Sequence, residues 1–163
     1  MNVESIRTLY AYNRWANHRI LMRAEEVTTE QLIMPLPFPA GSLFATLVHT
    51  LSAERGWLRR WHGDSPKTSL QASDFDGLPA LRAMWAEEEQ RMQVFLDSLD
   101  QEKLDTRMAY TTTKGMAGEE ILWRMMAHVV NHGTQHRTEA AAMLTGFGHS
   151  PGDIDFIIYL RQL

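Results

Sequence analysis

The chain has 163 residues, of which 44% are hydrophobic and 22% charged, as in an ordinary globular protein, and its length predicts a single domain over residues 1–163. Sixteen Lys and Arg oppose twenty Asp and Glu, and the net charge of −4 argues against a nucleic-acid partner. The chain has no Cys, which excludes disulfides, thiolate nucleophiles and Cys-ligated metal sites. Because it shows no secretory signal and no apolar run of about 20 residues, we expect a cytoplasmic protein without a membrane partner.

Glycine and proline divide the chain into long segments in which apolar residues recur at steps of three and four, as on one face of an α-helix. The proline-rich stretch 35–41 interrupts this pattern, and Ser42 is a suitable N-cap for the helix that follows it. The predicted long helices cover residues 3 to about 26, 43 to about 61, 79 to about 99, and 119 to about 144.

Two shorter elements complete the predicted fold. Residues 107–117 are rich in Thr and favour an exposed loop or a short hairpin before the fourth long helix, which we expect to begin at Glu119 or Glu120. A short helix capped by Asp153 should follow Pro151. The pattern is typical of an all-α fold, an up-down four-helix bundle with a short C-terminal helix.

The fourth predicted helix carries histidines at positions 128, 132 and 136. Residues four apart lie on one face of a helix, so either His128 with His132 or His132 with His136 can reach one metal ion. All three cannot, because His128 and His136 are about 12 Å apart along a straight helix. A further histidine, His49, lies inside another long amphipathic helix.

These histidines share the inward face of their helix, so we expect them to point into the core. A single buried histidine is more often a hydrogen-bonded packing residue than a metal ligand. Three histidines in register favour a metal site, because each desolvated imidazole needs a partner and one cation satisfies several of them. Spacing alone leaves both interpretations, and both histidine pairs, open.

Other polar residues interrupt apolar faces. Glu139 could orient the imidazole of His136 or act as a base, but an exposed carboxylate paired with an Arg is the favoured interpretation. Glu88 has the same ambiguity on the third predicted helix. For Asn13 and Asn17 on the first helix, we favour a structural role over one at a metal cavity.

Several segments resemble the DinB-like family of helical-bundle proteins. The main one is residues 121–144, reading ILWRMMAHVVNHGTQHRTEAAAML, with its Asn-His-x-x-x-His-Arg motif. Support comes from YNRWAN at 12–17 and SLFATLVH at 42–49, and from the tail at 144–151 and 159–161. The resemblance covers nearly the whole chain.

The resemblance implies one divalent metal ion held by three histidines, which here fall on His49, His132 and His136. We expect Zn, Ni, Fe or Mn, with zinc or nickel favoured. Three protein ligands would leave an open position for water or substrate, unlike a structural zinc site closed by four. Family members often have His, Gly and Gln at three nearby positions where this chain has Gln135, Thr138 and Glu139.

The resemblance also implies a metal-dependent enzyme that acts on a low-molecular-weight thiol or its conjugate by transfer, isomerisation or hydrolysis. Since the chain has no Cys, the thiol would have to be a small-molecule substrate. The alternatives are a non-enzymatic metal-binding stress-response protein, and a helical interaction module whose histidines only pack. A homodimer is expected because family members commonly pair through bundle helices.

Overall fold

The computed structural model describes residues 1–163 and is mostly helical, as predicted. It also contains a two-stranded antiparallel sheet and a 3₁₀ helix at Ala72–Asp74. The helices are α1 (Val3–Ala24), α2 (Thr29–Ile33), α3 (Leu43–Trp61), α4 (Gly77–Asp97), α5 (Gln101–Asp105), α6 (Leu122–Gly146) and α7 (Phe156–Leu160). The strands are β1 (Arg107–Thr111) and β2 (Ala117–Ile121). No helix combines the length and the apolar character that crossing a membrane requires.

The four long helices α1, α3, α4 and α6 correspond to the four that the apolar periodicity predicts, and their starts are capped locally. The carboxamide of Asn2 accepts a hydrogen bond from the Ser5 N–H at 2.8 Å and caps α1. Ser42 accepts from the Ala45 N–H at 3.2 Å, so its predicted role as the N-cap of α3 is confirmed. Helices α2 and α5 are too short for a periodic pattern to reveal them.

The prediction that the fourth long helix begins at Glu119 or Glu120 is wrong, since α6 begins at Leu122. Both glutamates belong to β2, where Glu119 pairs with Ala109 of β1 in an antiparallel hairpin. The hairpin is therefore longer than residues 107–117. The carboxylate of Glu120 accepts the Ile121 N–H at 2.8 Å, so its negative charge does lie at the helix start, but on a strand.

The last helix is also shorter than predicted. It covers Phe156–Leu160 and has Asp155, not Asp153, at its N-cap position. The hydroxyl of Tyr12 donates to the Ile154 carbonyl at 2.9 Å, which holds the segment before α7 against α1 in a non-helical conformation. This tertiary contact overrides the local signal.

Helix α6 packs against both α1 and α3, and the core divides into two apolar clusters along these helices. One cluster includes Tyr10 of α1 and Met126 of α6, and the other includes Leu47 of α3 and Leu144 of α6. Buried polar residues separate the two clusters at the middle of the long helices. They are Asn13, Asn17, Glu88, His136 and Arg137.

Candidate metal centre

Three histidines from two adjacent helices converge between the two apolar clusters. His49 lies on α3, and His132 and His136 lie one turn apart on α6. One ring nitrogen of each residue lies within 4.8 Å of the corresponding nitrogen of the other two. The ring centroids of His132 and His136 are 4.4 Å apart, and those of His49 and His136 are 4.5 Å apart. The packing of α3 on α6 thus forms a compact group of three nitrogen donors.

The spacing of the nitrogens fits a bound metal ion. The Nε2 atoms of His132 and His136 are 3.2 Å apart. Two nitrogens bound to one tetrahedral zinc ion at 2.0–2.1 Å would be about 3.4 Å apart, so this pair needs little adjustment. The ring of His49 makes no hydrogen bond with the protein, and the one hydrogen-bond contact of the His132 ring is with Nε2 of His136. No carbonyl group therefore competes for these donor atoms.

Glu139 is in contact with the histidine group. Its Oε2 lies 2.8 Å from Nδ1 of His136, and its side chain is only 14% exposed. The favoured interpretation of Glu139 as an exposed carboxylate paired with an Arg is wrong, because one helical turn brings it beside the imidazole instead. A carboxylate that accepts from Nδ1–H fixes the tautomer whose Nε2 carries the free lone pair, as is common for metal-binding histidines.

The electrostatic environment lowers the pKa of two of the three imidazoles, His49 and His132. Burial lowers the pKa of His132 to about 4, and His136, His49 and His128 act in the same direction. Burial also lowers the pKa of His49, with a further contribution from His136, while Glu139 opposes the shift. Imidazole must be deprotonated at the donor nitrogen to bind a cation. Near neutral pH, His49 and His132 are therefore in the form that a metal requires.

The three histidines differ in exposure, which makes the site open on one side. His49 is exposed, His132 is half-buried, and His136 is only 7% exposed. Solvent and small molecules can therefore approach from the side of α3. A cation held by these three residues would keep coordination positions accessible from that direction.

His128 does not belong to this group. It is exposed, so the expectation that all three histidines of α6 point into the core is wrong for this residue. Its ring lies edge-on against Trp57, with the centroids 5.5 Å apart, and 5.9 Å from the ring of His132. Eight residues of α-helix separate His128 from His136 by about 12 Å along the axis, so the two side chains cannot reach one ion, as predicted.

A buried network of polar side chains joins the helices next to the histidine group. Oε1 of Glu54 on α3 accepts hydrogen bonds from the amide nitrogens of Asn13 at 2.7 Å and Asn17 at 3.0 Å on α1. The amide oxygens of both asparagines accept from Nη1 of Arg137, the residue after His136. Burial raises the pKa of Glu54, and the two amide donors and Arg137 offset part of that effect. The structural role favoured for the asparagines agrees with these contacts, which join α1, α3 and α6.

Glu88 is separate from the histidine group. It is buried on α4, with 6% of its surface exposed, and its carboxylate pairs with Arg55 of α3 at 3.0 Å and with Arg91 one turn along α4. Both partners are arginines, so this carboxylate is satisfied within the packing of α3 and α4. The ambiguity over Glu88 is resolved in favour of a structural ion pair.

Comparison with known proteins identifies the family. The sequence matches the model of the DinB family over residues 1–162. This chain belongs to the DinB family. It is also 24% identical over 159 residues to Protein DinB of Bacillus subtilis (strain 168), in an alignment that covers 93% of this chain and 91% of that protein. Membership of the DinB family and the close group of three histidines are both compatible with metal binding.

Sequence reasoning missed two residues of α3 in this DinB-family protein, Glu54 and Arg60. Glu54 lies on a mixed stripe of α3, where its pattern is the same as that of an exposed glutamate. The paired amides of Asn13 and Asn17 on an apolar face were a signal that a buried partner existed, but they could not identify it. Arg60, on the same helix, gave no sequence signal, because arginines near the end of a helix are ordinarily exposed.

Proposed function

We propose that this protein binds one divalent metal ion through His49, His132 and His136 and uses it to act on a low-molecular-weight thiol or a conjugate of one. The observation that carries the proposal is the convergence of three ring nitrogens, drawn from α3 and α6, within 4.8 Å. Zinc and nickel are the favoured ions, because imidazole is a good ligand for both. An up-down bundle of the four long helices and pairing into a homodimer are parts of the same proposal.

A bound divalent cation would supply Lewis acidity, which favours the thiolate form of a thiol or activates a water. The protein's own residues prepare the site for it. Glu139 holds the Nδ1–H of His136, so that Nε2 of this imidazole faces His132. Arg137, bonded to Asn17 at 2.9 Å, fixes the turn of α6 that carries His136 against α1. His49, at the exposed edge, leaves room for a small molecule to enter.

A non-enzymatic role is the second candidate, and one observation favours it. His49 belongs to α3 and His132 and His136 belong to α6, and their ring nitrogens lie within 4.8 Å of one another. A cation bound there would crosslink the helices and stabilise the folded protein. The protein would then serve as a metal-binding stress-response protein without turnover.

Metal binding is tested first. Protein reconstituted with Zn²⁺ or Ni²⁺ and freed of excess ion should contain about one equivalent by elemental analysis. His132→Ala should retain less than about a tenth of an equivalent, because only two nitrogens remain. His128→Ala, one turn away on the same helix, is the matched control and should retain the full equivalent. Equal metal content in H132A and the wild type would overturn the site.

Activity is tested next with metal-loaded protein, a panel of low-molecular-weight thiols and an aryl halide electrophile. The enzyme proposal expects thioether formation by the wild type at a rate well above that of H132A. If metal-loaded wild type is no faster than H132A, the enzymatic part of the proposal is overturned and the non-enzymatic alternative is favoured.

A further inference from the structure

An open pocket of about 160 Å³ lies beside the histidine group and has His49 in its wall. It is bounded by α3, by the segment that follows α3 and by the turn of the hairpin. Ser52, Trp57, Ser69 and Thr113 also line it, so its surface offers several hydroxyl groups and one aromatic ring. Arg60 lines the same pocket as His49.

Arg60 is buried and has no anionic partner. Only 8% of its surface is exposed, its Nε donates to the Thr111 carbonyl at 3.0 Å, and its guanidinium lies over the ring of Trp57, 5.0 Å from the centroid. Neither terminal nitrogen donates to a protein group, and no carboxylate lies within ion-pair distance, whereas the neighbouring Arg59 is paired with Asp64. A buried charge without a counterion is unfavourable, so the pocket is suited to an anionic ligand.

The absence of a side chain at Gly56 leaves room for the guanidinium of Arg60. A Cβ built on Gly56, one turn before Arg60 on α3, would lie 3.2 Å from Nη1 of Arg60. The guanidinium therefore lies along the helix at the level of Gly56. It is directed back towards His49, as helical side chains generally point to the N-terminus.

The spacing along α3 places His49 and Arg60 on one face of the helix. Eleven residues separate His49 from Arg60, and eleven steps of 100° return to within about 20° of the same direction. Because the guanidinium lies at the level of Gly56, seven residues beyond His49, it is about 10 Å along the helix from the Cα of His49. An extended small molecule can span this distance.

We propose that Arg60 binds an oxyanion, a carboxylate or a phosphate, at the far end of the substrate whose reacting end meets the histidine group. The inference rests on the proposed function, since that function defines the reacting end. The planar fork of a guanidinium matches the paired oxygens of either group. The free Ser52 hydroxyl proton adds a further donor, because its oxygen already accepts from the Leu70 N–H at 2.9 Å. The substrate class is thus an elongated thiol that carries an oxyanion about 10 Å from its sulfur.

The test compares thiols of equal length with and without a charged end. Dissociation constants of mercaptohexanoate, mercaptohexyl phosphate and the neutral mercaptohexanol are measured by calorimetry on zinc-loaded and on metal-free protein. The better of the two anions should bind at least about tenfold more tightly than the alcohol. Whichever anion binds more tightly identifies the group that Arg60 recognises. Equal binding of all three ligands would overturn the proposal.

Variants assign the preference to Arg60. Arg60→Met should reduce the anion-to-alcohol ratio to near one, while Arg59→Met, which removes the same charge from the adjacent exposed position, should keep it. Arg60→Gln keeps a polar side chain but removes the charge, and it should lower the ratio even if R60M does not fold. An unchanged ratio in folded R60M, or in R60Q where R60M is unfolded, would contradict the role of Arg60.

The two proposals fail in different ways. Failure to bind zinc would overturn the proposed function, but the anion-to-alcohol affinity ratio can still be measured on metal-free protein. Normal zinc binding together with an anion-to-alcohol affinity ratio of one would overturn only the oxyanion site.

Discussion

Glu139 and His136 form a hydrogen-bonded pair within one turn of α6, with Oε2 of the carboxylate 2.8 Å from Nδ1 of the imidazole. The pair makes one helix supply both a candidate ligand and the group that orients it. Since both side chains are largely buried, the contact is little weakened by solvent. In many metalloproteins a carboxylate likewise accepts a hydrogen bond from a histidine whose other ring nitrogen binds the metal.

Replacing Glu139 by Gln should weaken metal binding about tenfold, because the amide oxygen still accepts from Nδ1–H but the negative charge is lost. The measurement is competition for Zn²⁺ against a chromophoric chelator. Glu87→Gln on α4, which alters an exposed carboxylate near Arg91, is the matched control and should bind zinc as the wild type does. Equal affinities of E139Q and the wild type would remove Glu139 from the site.

Metal should stabilise the folded protein against heat. Free zinc at 100 times its dissociation constant adds at most about 2.7 kcal/mol to the free energy of unfolding, which corresponds to about 5–10 °C in a chain of this size. Thermal melts with zinc and with excess chelator measure the difference. The variant H132A should melt at the same temperature in both solutions. A metal-dependent shift of equal size in H132A would show that zinc acts elsewhere.

Gly133→Ala should destabilise the protein, although alanine is the better helix former. A Cβ at Gly133 would lie 2.8 Å from Nη1 of Arg137 and 2.9 Å from Oδ1 of Asn13, so the buried network would have to move. We expect a loss of about 1–3 kcal/mol in the free energy of unfolding, measured with urea on metal-free protein.

The control is Gly146→Ala at the end of the same helix, where a Cβ would meet nothing within 4 Å. It should be neutral or stabilising by up to about 1 kcal/mol. Similar effects of both alanines would show that the network tolerates displacement.

Glu54 should make stability fall as pH rises. Burial raises its pKa above the ordinary value of 4.5, so between that value and the raised one the folded state binds the proton that the unfolded state has released. The stabilisation present in acid is therefore lost as pH rises through the pKa of the folded state. The free energy of unfolding of metal-free wild type, minus that of Glu54→Gln, should decrease over this window in urea titrations. A difference that stays constant or grows with pH would contradict the assignment.

The sequence predicts the long helices well because each carries its own periodic apolar face and punctuation by Gly and Pro. The start of α6 and the cap of α7 were mispredicted for one reason. Glu119 is held by pairing with β1, and Ile154 is held by the hydroxyl of Tyr12, and both are contacts between segments distant in sequence. A local signal cannot report such contacts.

The candidate site was only partly predictable. Helical spacing limits the histidine pairs on α6 to two, but choosing between them required the resemblance to a family, and bringing His49 to them required the packing of α3 on α6. A surface position is predicted for Glu139 because glutamate is ordinarily exposed, and its burial beside His136 is a property of the folded protein. Arg60 and Glu54 have no sequence signature, since burial and missing partners are properties of the fold.

The uneven exposure of the three histidines has a kinetic consequence. His49 is the donor least enclosed by the fold, while His136 is anchored by Glu139. In the proposed metal-bound form, an acceptor molecule would therefore take the place of His49 while His132 and His136 kept the ion. Transfer of metal between this protein and such an acceptor should accelerate with acceptor concentration and proceed without opening of the helices.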